Sequence, residues 1–462
     1  MNALTKYKGS IKLAAIGDAL GWITEFEKSP EALKSKYGVD YITNFYHWEK
    51  KVGGRFYGFK DAIKAGSYSD DTQLLLAVAR SIKEDGTVDQ NYFSKIELPN
   101  WLLYARGAGR TIKNAARKIE RKSATWNNNF FTFKAGKATM DYRESGANGA
   151  AMRILPIALA NFGDAEKIKK EIFSNSIVTH GHPRAIAGAM LYGFAVDTIL
   201  QLSPENFDYR IFLTKLGKDI HAKLSIPFIN DPQLKEWEIT WNKKNNTKVF
   251  NDLYEDVISE IQQGLRDNYK YIKESVSDFE ALSNLECYKY ETKGSGVSTV
   301  IAGIFLVCKY SNDPLKSIEI AVNSIGTDTD SIAAFAGGLV GALNGQTIIP
   351  ERWKMVQDIK YLDKISEKLL EISEGRAEVN EYPDVPNPIS INSINSNIYK
   401  PEDKVFFKPL GNGLITNIDK QDSATKGKYN IIFSVEFEIG QSCVFSKLLS
   451  NNDDSQEDDA ND

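Results

Sequence analysis

The sequence predicts an all-α domain over residues 1–375 followed by a small β-rich module, and three observations lead there. Apolar residues recur at intervals of three and four through the first two hundred residues and again over 296–343, the spacing of one helix face. Pro383–Tyr399 breaks that pattern with three prolines and the stretch INSINSN, a composition that buries too little apolar surface to order itself. Beyond it, Lys404–Phe407, Gly413–Ile418 and Tyr429–Phe437 are short β-branched or aromatic runs divided by turn signals such as Gly411-Asn412-Gly413.

From Lys12 to about Gln201 the chain reads as helices joined by glycine-containing loops, with Leu74, Leu75, Val78 and Ile82 on one stripe and little strand-like alternation. Residues 202–292 change character. Trp237, Trp241, Phe250 and Tyr254 stand there among many charges, which reads as a helical insertion or an elaborated surface. Helical pattern returns in Gly296–Tyr310, Pro314–Ile325 and Asp330–Leu343, and the Ala and Gly content of the last predicts a central, closely packed helix. The expected organisation is completed by a linker at 376–400, a small β-barrel-like module at 401–449 and a disordered acidic tail at 450–462.

Hydrophobic residues make up 42% and charged residues 26%, with no run near the roughly 18 apolar residues of a membrane span. Met1–Leu20 lacks the basic start and cleavage site of a secretion signal, so a cytoplasmic location and no membrane partner are expected. Cys287, Cys308 and Cys443 are too dispersed for a disulfide framework or a CxxC metal site and predict buried thiols. Of the net charge of −4, the tail alone contributes −6, leaving the body at +2. That balance gives no argument for nonspecific nucleic-acid binding.

Two clusters of side-chain oxygens stand at helix starts. Ser69-Asp70-Asp71-Thr72 precedes Gln73-Leu74-Leu75-Leu76, and Thr327-Asp328-Thr329-Asp330-Ser331 precedes Ile332-Ala333-Ala334-Phe335. Taken singly, each is explained by capping, a Ser or Asp oxygen receiving a first-turn N–H. Taken together they offer four carboxylates, and crowding these is unfavourable without a cation. Hard divalent ions such as Mg²⁺ or Mn²⁺ favour oxygen donors, whereas Cys/His ligands for zinc are missing.

Three further segments hold candidates. Gly146-Ala147-Asn148-Gly149-Ala150-Ala151-Met152-Arg153 is a small-residue loop whose amides could approach an anion, although tight turns produce similar patterns. His180 and His182, two of four histidines, are either structural or polar contacts at a pocket rim. Glu25, after Gly17–Thr24, is either a solvated acid or, if its loop covers a pocket, a group that activates water or protonates a leaving group.

In order, GDALGWITEF, SDDTQLLLAVA, GANGAAMRILPIAL, THGHPRA and GTDTDSIAAFAGGLVGAL with IPERW resemble the ADP-ribosylglycohydrolase family, over roughly Lys12–Leu202 and Gly294–Lys354. The family commonly has Thr where Ser69 and Ser331 stand and often Gly where Thr327 stands. The resemblance implies an all-α orthogonal helical bundle with two divalent cations, Mg²⁺ or Mn²⁺, held by Ser69, Asp70, Asp71, Asp328, Asp330 and Ser331, with Asp330 bridging. It also implies ADP-ribose contacts from Gly146, Asn148, Gly149, Met152 and His180, and catalytic roles for Glu25 and Asp71. The cations would orient the anomeric carbon of the distal ribose toward a water.

The implied partner is an ADP-ribosylated protein, the product ADP-ribose, and the C-terminal module a candidate for binding a protein partner. One alternative is a non-catalytic ADP-ribose-binding module, against which the intact acids argue. Another is hydrolysis of nucleic-acid-linked ADP-ribose, which stays open because metal ligands say little about the leaving group.

Overall fold

The computed structural model describes residues 1–53, 58–226, 230–244, 248–378 and 399–450. The helices that position the site are α1 (Ala3–Glu25), α2 (Asp70–Arg80), α3 (Pro183–Leu200), α4 (Phe250–Lys273), α5 (Gly296–Lys309), α6 (Pro314–Asn323), α7 (Thr329–Asn344) and α8 (Ile359–Ser373). Helix α1 starts where the Asn2 side chain accepts the Thr5 N–H at 2.8 Å, and it is buried without interruption from Gly9 to Thr24. Helix α7 is buried along its whole length, the central place that its Ala and Gly content predicts. The two backbones touch: a Cβ on Gly17 would lie 2.2 Å from the Ala333 carbonyl oxygen, and one on Gly337 2.0 Å from that of Leu13.

Residues 202–292 wrap an aromatic knot. Trp237, Trp241, Phe250 and Tyr254 are all buried, with Phe250 edge-on to Trp237 at 4.9 Å and to Trp241 at 5.2 Å. Helix α4 turns Ile258, Ile261 and Leu265 inward, and Asn268 donates to the Ile301 carbonyl of α5 at 3.0 Å. The charges that make this stretch look like surface occupy its outer faces.

Two hairpins interrupt the helical body where the sequence shows little alternation. Strands β1 (Trp48–Val52) and β2 (Phe59–Ile63) form one, β3 (Thr132–Ala135) and β4 (Ala138–Asp141) the other. Each is only four or five residues long. In β2 the inward position between Phe59 and Ile63 is an acid, Asp61, which is buried because Arg106 pairs with it at 2.7 Å.

The module expected to be barrel-like is an open antiparallel meander, β5 (Lys404–Phe407), β6 (Gly411–Asp422), β7 (Lys428–Phe437) and β8 (Ser442–Ser450), paired in that order with a bulge between Ile415 and Asn417. The helical body covers it where a barrel would cover itself. Tyr104 packs edge-on against Phe407 at 6.0 Å and Phe445 at 5.8 Å. Arg80, paired with Glu97 at 2.7 and 2.8 Å, also donates to Gln441 at 2.5 Å. Asp358 accepts from the Tyr68 hydroxyl at 2.6 Å, from the Ser442 N–H at 3.1 Å and from the Ser442 hydroxyl. Residues 379–398 of the expected linker and 451–462 of the expected tail lie outside the described residues. No described helix is long and apolar enough to cross a membrane.

Candidate active site

The first acidic cluster opens α2. Ser69 is its N-cap, accepting the Asp71 N–H at 3.3 Å. A second acid, Asp18 from the buried middle of α1, accepts from the Ser69 N–H at 3.0 Å, the Thr72 N–H at 3.0 Å and the Thr72 hydroxyl at 2.6 Å. Capping is thus done by Ser69 and Asp18, and Asp70 and Asp71 are buried without being used for it.

The second cluster opens α7 and is fixed to α1 by Thr329, whose hydroxyl donates to the Gly21 carbonyl at 2.8 Å. Asp328 occupies the N-cap position but its side chain makes no capping bond; it accepts instead from Asn148 Nδ2 at 2.9 Å. Glu25 stands at the end of α1, beside this turn. One carboxylate oxygen from each of Glu25, Asp328 and Asp330 lies within 4.8 Å of the other two. The clusters meet where the Ser331 hydroxyl donates to Asp71 Oδ2 at 2.8 Å, joining positions 260 residues apart.

Crowded, buried carboxylates resist ionisation. Burial first, then the charges of Asp330 and Asp18, push Asp70 up to about 8; burial and Asp330 push Asp18 up to about 6 against the bonds from Thr72 and Ser69. Asp71 and Glu25 are held well above the usual carboxylate range by burial and then Asp330, Asp330 by burial and then Asp328, and Asp328 is raised chiefly by burial. Lys50 faces the cluster, with Lys113 near Asp70 and Lys293 near Asp328. Lys50 of β1 lies 3.7 Å from the Phe26 ring centre, its proton affinity lowered by burial and partly restored by Glu25, Asp330 and Asp70.

The small-residue loop forms the adjoining wall. Asn148 donates its N–H to the Gly294 carbonyl at 2.9 Å, Met152 donates to the Asn148 carbonyl at 3.0 Å, and the Gly146 carbonyl accepts from Gly296 at 3.0 Å. Arg153 ties the loop from beneath, bonding the Gly149 carbonyl, Thr179 and Asn175. His180 is buried under Gly149, within 2.8 Å of Thr179 Oγ1; burial, then Arg153, lower it to about 3. His182 caps α3 by accepting the Arg184 N–H at 3.1 Å. The structure therefore gathers Glu25, Asp71, Asp328, Asp330, Ser331 and Asn148, with Ser69 and Asp70 on the same helix start, leaves Gly146 half-buried on the loop, and sets His180 one layer behind.

Sequence reasoning missed three contributors. Asp18 carries a detectable signal, an acid in an otherwise small and apolar helix, but its partner α2 is far along the chain. Lys50 sits in the charged run Glu49-Lys50-Lys51, which reads as solvated. Trp22 is fully buried and its indole N–H has no acceptor among the described residues.

The donors are all oxygens, and Cys287 and Cys308 are buried thiols whose ionisation burial opposes. Oxygen donors repelling one another fit a hard divalent cation, which supplies the charge they lack. The ADP-ribosylglycohydrolase family model matches residues 1–378. Over 188 residues the chain is 30% identical to an ADP-ribosyl dinitrogen reductase glycohydrolase of Rhodospirillum rubrum, covering 40% of this chain and 55% of that protein. It is 27% identical to ADP-ribosylhydrolase ARH3 of Danio rerio, covering 80% of this chain and 91% of that one. It is 22% identical to the ADP-ribosylarginine hydrolase Tri1 of Serratia proteamaculans, covering 79% of each. A solved chain titled ADP-ribosylglycohydrolase-related protein complex shares the fold at a TM-score of 0.50 and 16% identity, covering 80% of this chain and 99% of that one. With the family match running through every element that carries the acids, the chain belongs to the ADP-ribosylglycohydrolase family, a family of hydrolases acting on ADP-ribosylated substrates.

Proposed function

We propose that the protein is a divalent-cation-dependent hydrolase that removes ADP-ribose from a modified macromolecule by cleaving the bond at the anomeric carbon of the distal ribose. The observation that carries this reading is the meeting of Glu25 with Asp328 and Asp330 within 4.8 Å, beside Asp71. Ser69, Asp70, Asp71, Asp328, Asp330 and Ser331 would hold two ions, Mg²⁺ or Mn²⁺, and bound ions would supply Lewis-acid polarisation and orientation of the ribose hydroxyls.

The remaining chemistry belongs to the chain. Glu25, at the edge of the cluster, would position a water and take its proton. Asp71, held by Ser331 through one oxygen, is the second candidate for handling that proton. Asn148 fixes the orientation of Asp328. With the Asn148 and Met152 N–H groups already given to carbonyls, phosphates at this loop would meet the amides between them, with Gly146 and Gly149 allowing close approach and His180 supporting from behind.

Incubation with arginine-, serine- and DNA-linked ADP-ribose, each with Mg²⁺, Mn²⁺ or a chelator, tests the reading. Release of ADP-ribose from at least one conjugate with metal and none with chelator is expected. Turnover that survives the chelator, or an Asp330→Asn variant that works at the wild-type rate, sinks it.

A further inference from the structure

The C-terminal sheet does more than cover apolar surface. Between it, the β1–β2 hairpin and Met355–Asp358 runs a groove of about 790 Å³. A cleft of about 260 Å³ continues it inward, sharing Asp61, Arg106 and Val444 and reaching Trp22, Lys50 and Gly107. Gly107 abuts the acids, since a Cβ there would lie 2.6 Å from Asp70 Oδ1. The two cavities thus share walls, and the inner one is bounded by the backbone that packs against Asp70.

The walls of these cavities have a definite chemistry. Strand register sets Asp419 opposite Ile432, Asn417 opposite Ser434 and Glu436 opposite Ser442, so one polar face of the sheet lines the groove. Five carboxylates border it, from Glu49, Asp61, Asp358, Asp419 and Glu436, against the cations Lys64 and Arg106. Arg106 is already paired with Asp61 and Lys60 with Glu49, and Asp358 accepts from Tyr68 and Ser442, which leaves the exposed Asp419 and Glu436 facing the groove with Lys64. On the inner walls, Trp22 Nε1 and Arg106 Nε are buried and have no acceptor among the described residues.

We propose that this groove docks the basic polypeptide segment that carries the ADP-ribose, an assignment that rests on the hydrolase reading for the direction in which the bound chain points. Lys or Arg side chains of the bound segment meet the exposed carboxylates of Asp419 and Glu436. Phosphates of a nucleic acid would meet that surplus as repulsion. The substrate class is thereby narrowed to modified protein.

The test uses the full chain and three fluorescent probes of equal length: a Lys/Arg-rich peptide, an acidic peptide and single-stranded DNA. The basic peptide is expected to bind at least about tenfold more tightly than the other two, and Asp419→Lys with Glu436→Lys to weaken it by at least about tenfold. A control reversing the exposed Glu205 and Glu274 should bind as wild type. Tightest binding of DNA, undiminished peptide affinity in the double variant, or wild-type affinity insensitive to salt between about 0.05 and 0.3 M overturns the proposal. Hydrolysis of a small ADP-ribosyl conjugate without peptide affinity refutes the groove and spares the hydrolase reading. Peptide affinity lost in the double variant, with no conjugate hydrolysed by wild type, does the reverse.

Discussion

Asp330 sits where burial and Asp328 both oppose its negative charge. Without metal, Asp330→Asn removes a repulsive charge while keeping shape, so thermal scans in chelator should show a higher Tm for the variant. Adding Mn²⁺ should raise the wild-type Tm and leave the variant nearly unmoved, since an ion stabilises only the state that binds it. A variant that melts lower in chelator would mean that Asp330 is held by a protein partner after all. Acidity follows the same logic. Asp18 at about 6 and Asp70 at about 8 bind protons in the folded state that the unfolded chain, near the ordinary value of about 4, has released. Native molecules hold more protons across that interval, so metal-free stability should fall as pH rises from about 4 to 8, and the Mn²⁺-induced shift should grow over the same range. Chemical denaturation at several pH values checks both slopes. At this scale the sequence displays the two acidic clusters because both stand at helix starts. Asp18 and Lys50 acquire their meaning only from chain segments that fold over them.

Helices α1 and α7 can lie in backbone contact because side chains are absent where they cross. Gly17→Ala would put a methyl group 2.2 Å from a carbonyl oxygen of α7 that has no freedom to move aside. A loss of about 1–3 kcal/mol or more in urea unfolding is expected, together with weaker metal binding, because Glu25 and Asp330 ride on the two displaced helices. Unchanged metal affinity in a destabilised Gly17→Ala would separate the crossing from the site. The richness of Asp330–Leu343 in Ala and Gly made this crossing legible. The hairpins were illegible for a physical reason: strands of four or five residues give too few alternations, and Asp61 interrupts one of them with a charge that only Arg106 explains. The aromatic knot around Phe250 was hidden similarly, since an amphipathic helix bearing many outward charges reads as surface until its inner face is seen.

How the β-rich module attaches was not legible in the sequence, because its bonds to the helical body join residues 84 and 361 positions apart, Asp358 with Ser442 and Arg80 with Gln441, and leave no local pattern. Asp358 holds both sides, Tyr68 on the helical body and Ser442 on the sheet. Asp358→Ala would strand these partners at an interface that excludes water, at a cost of about 2–4 kcal/mol in unfolding free energy. Far-ultraviolet circular dichroism and tryptophan fluorescence should still report coincident transitions in wild type and separated ones in the variant. Coincidence in both would show that Arg80 and Gln441 suffice as the attachment.

Tyr68 directly precedes Ser69, the residue that begins the turn presenting Asp70 and Asp71. The C-terminal sheet is therefore a buttress for the acidic shelf, and a relative built without that sheet must brace the same shelf by some other strut.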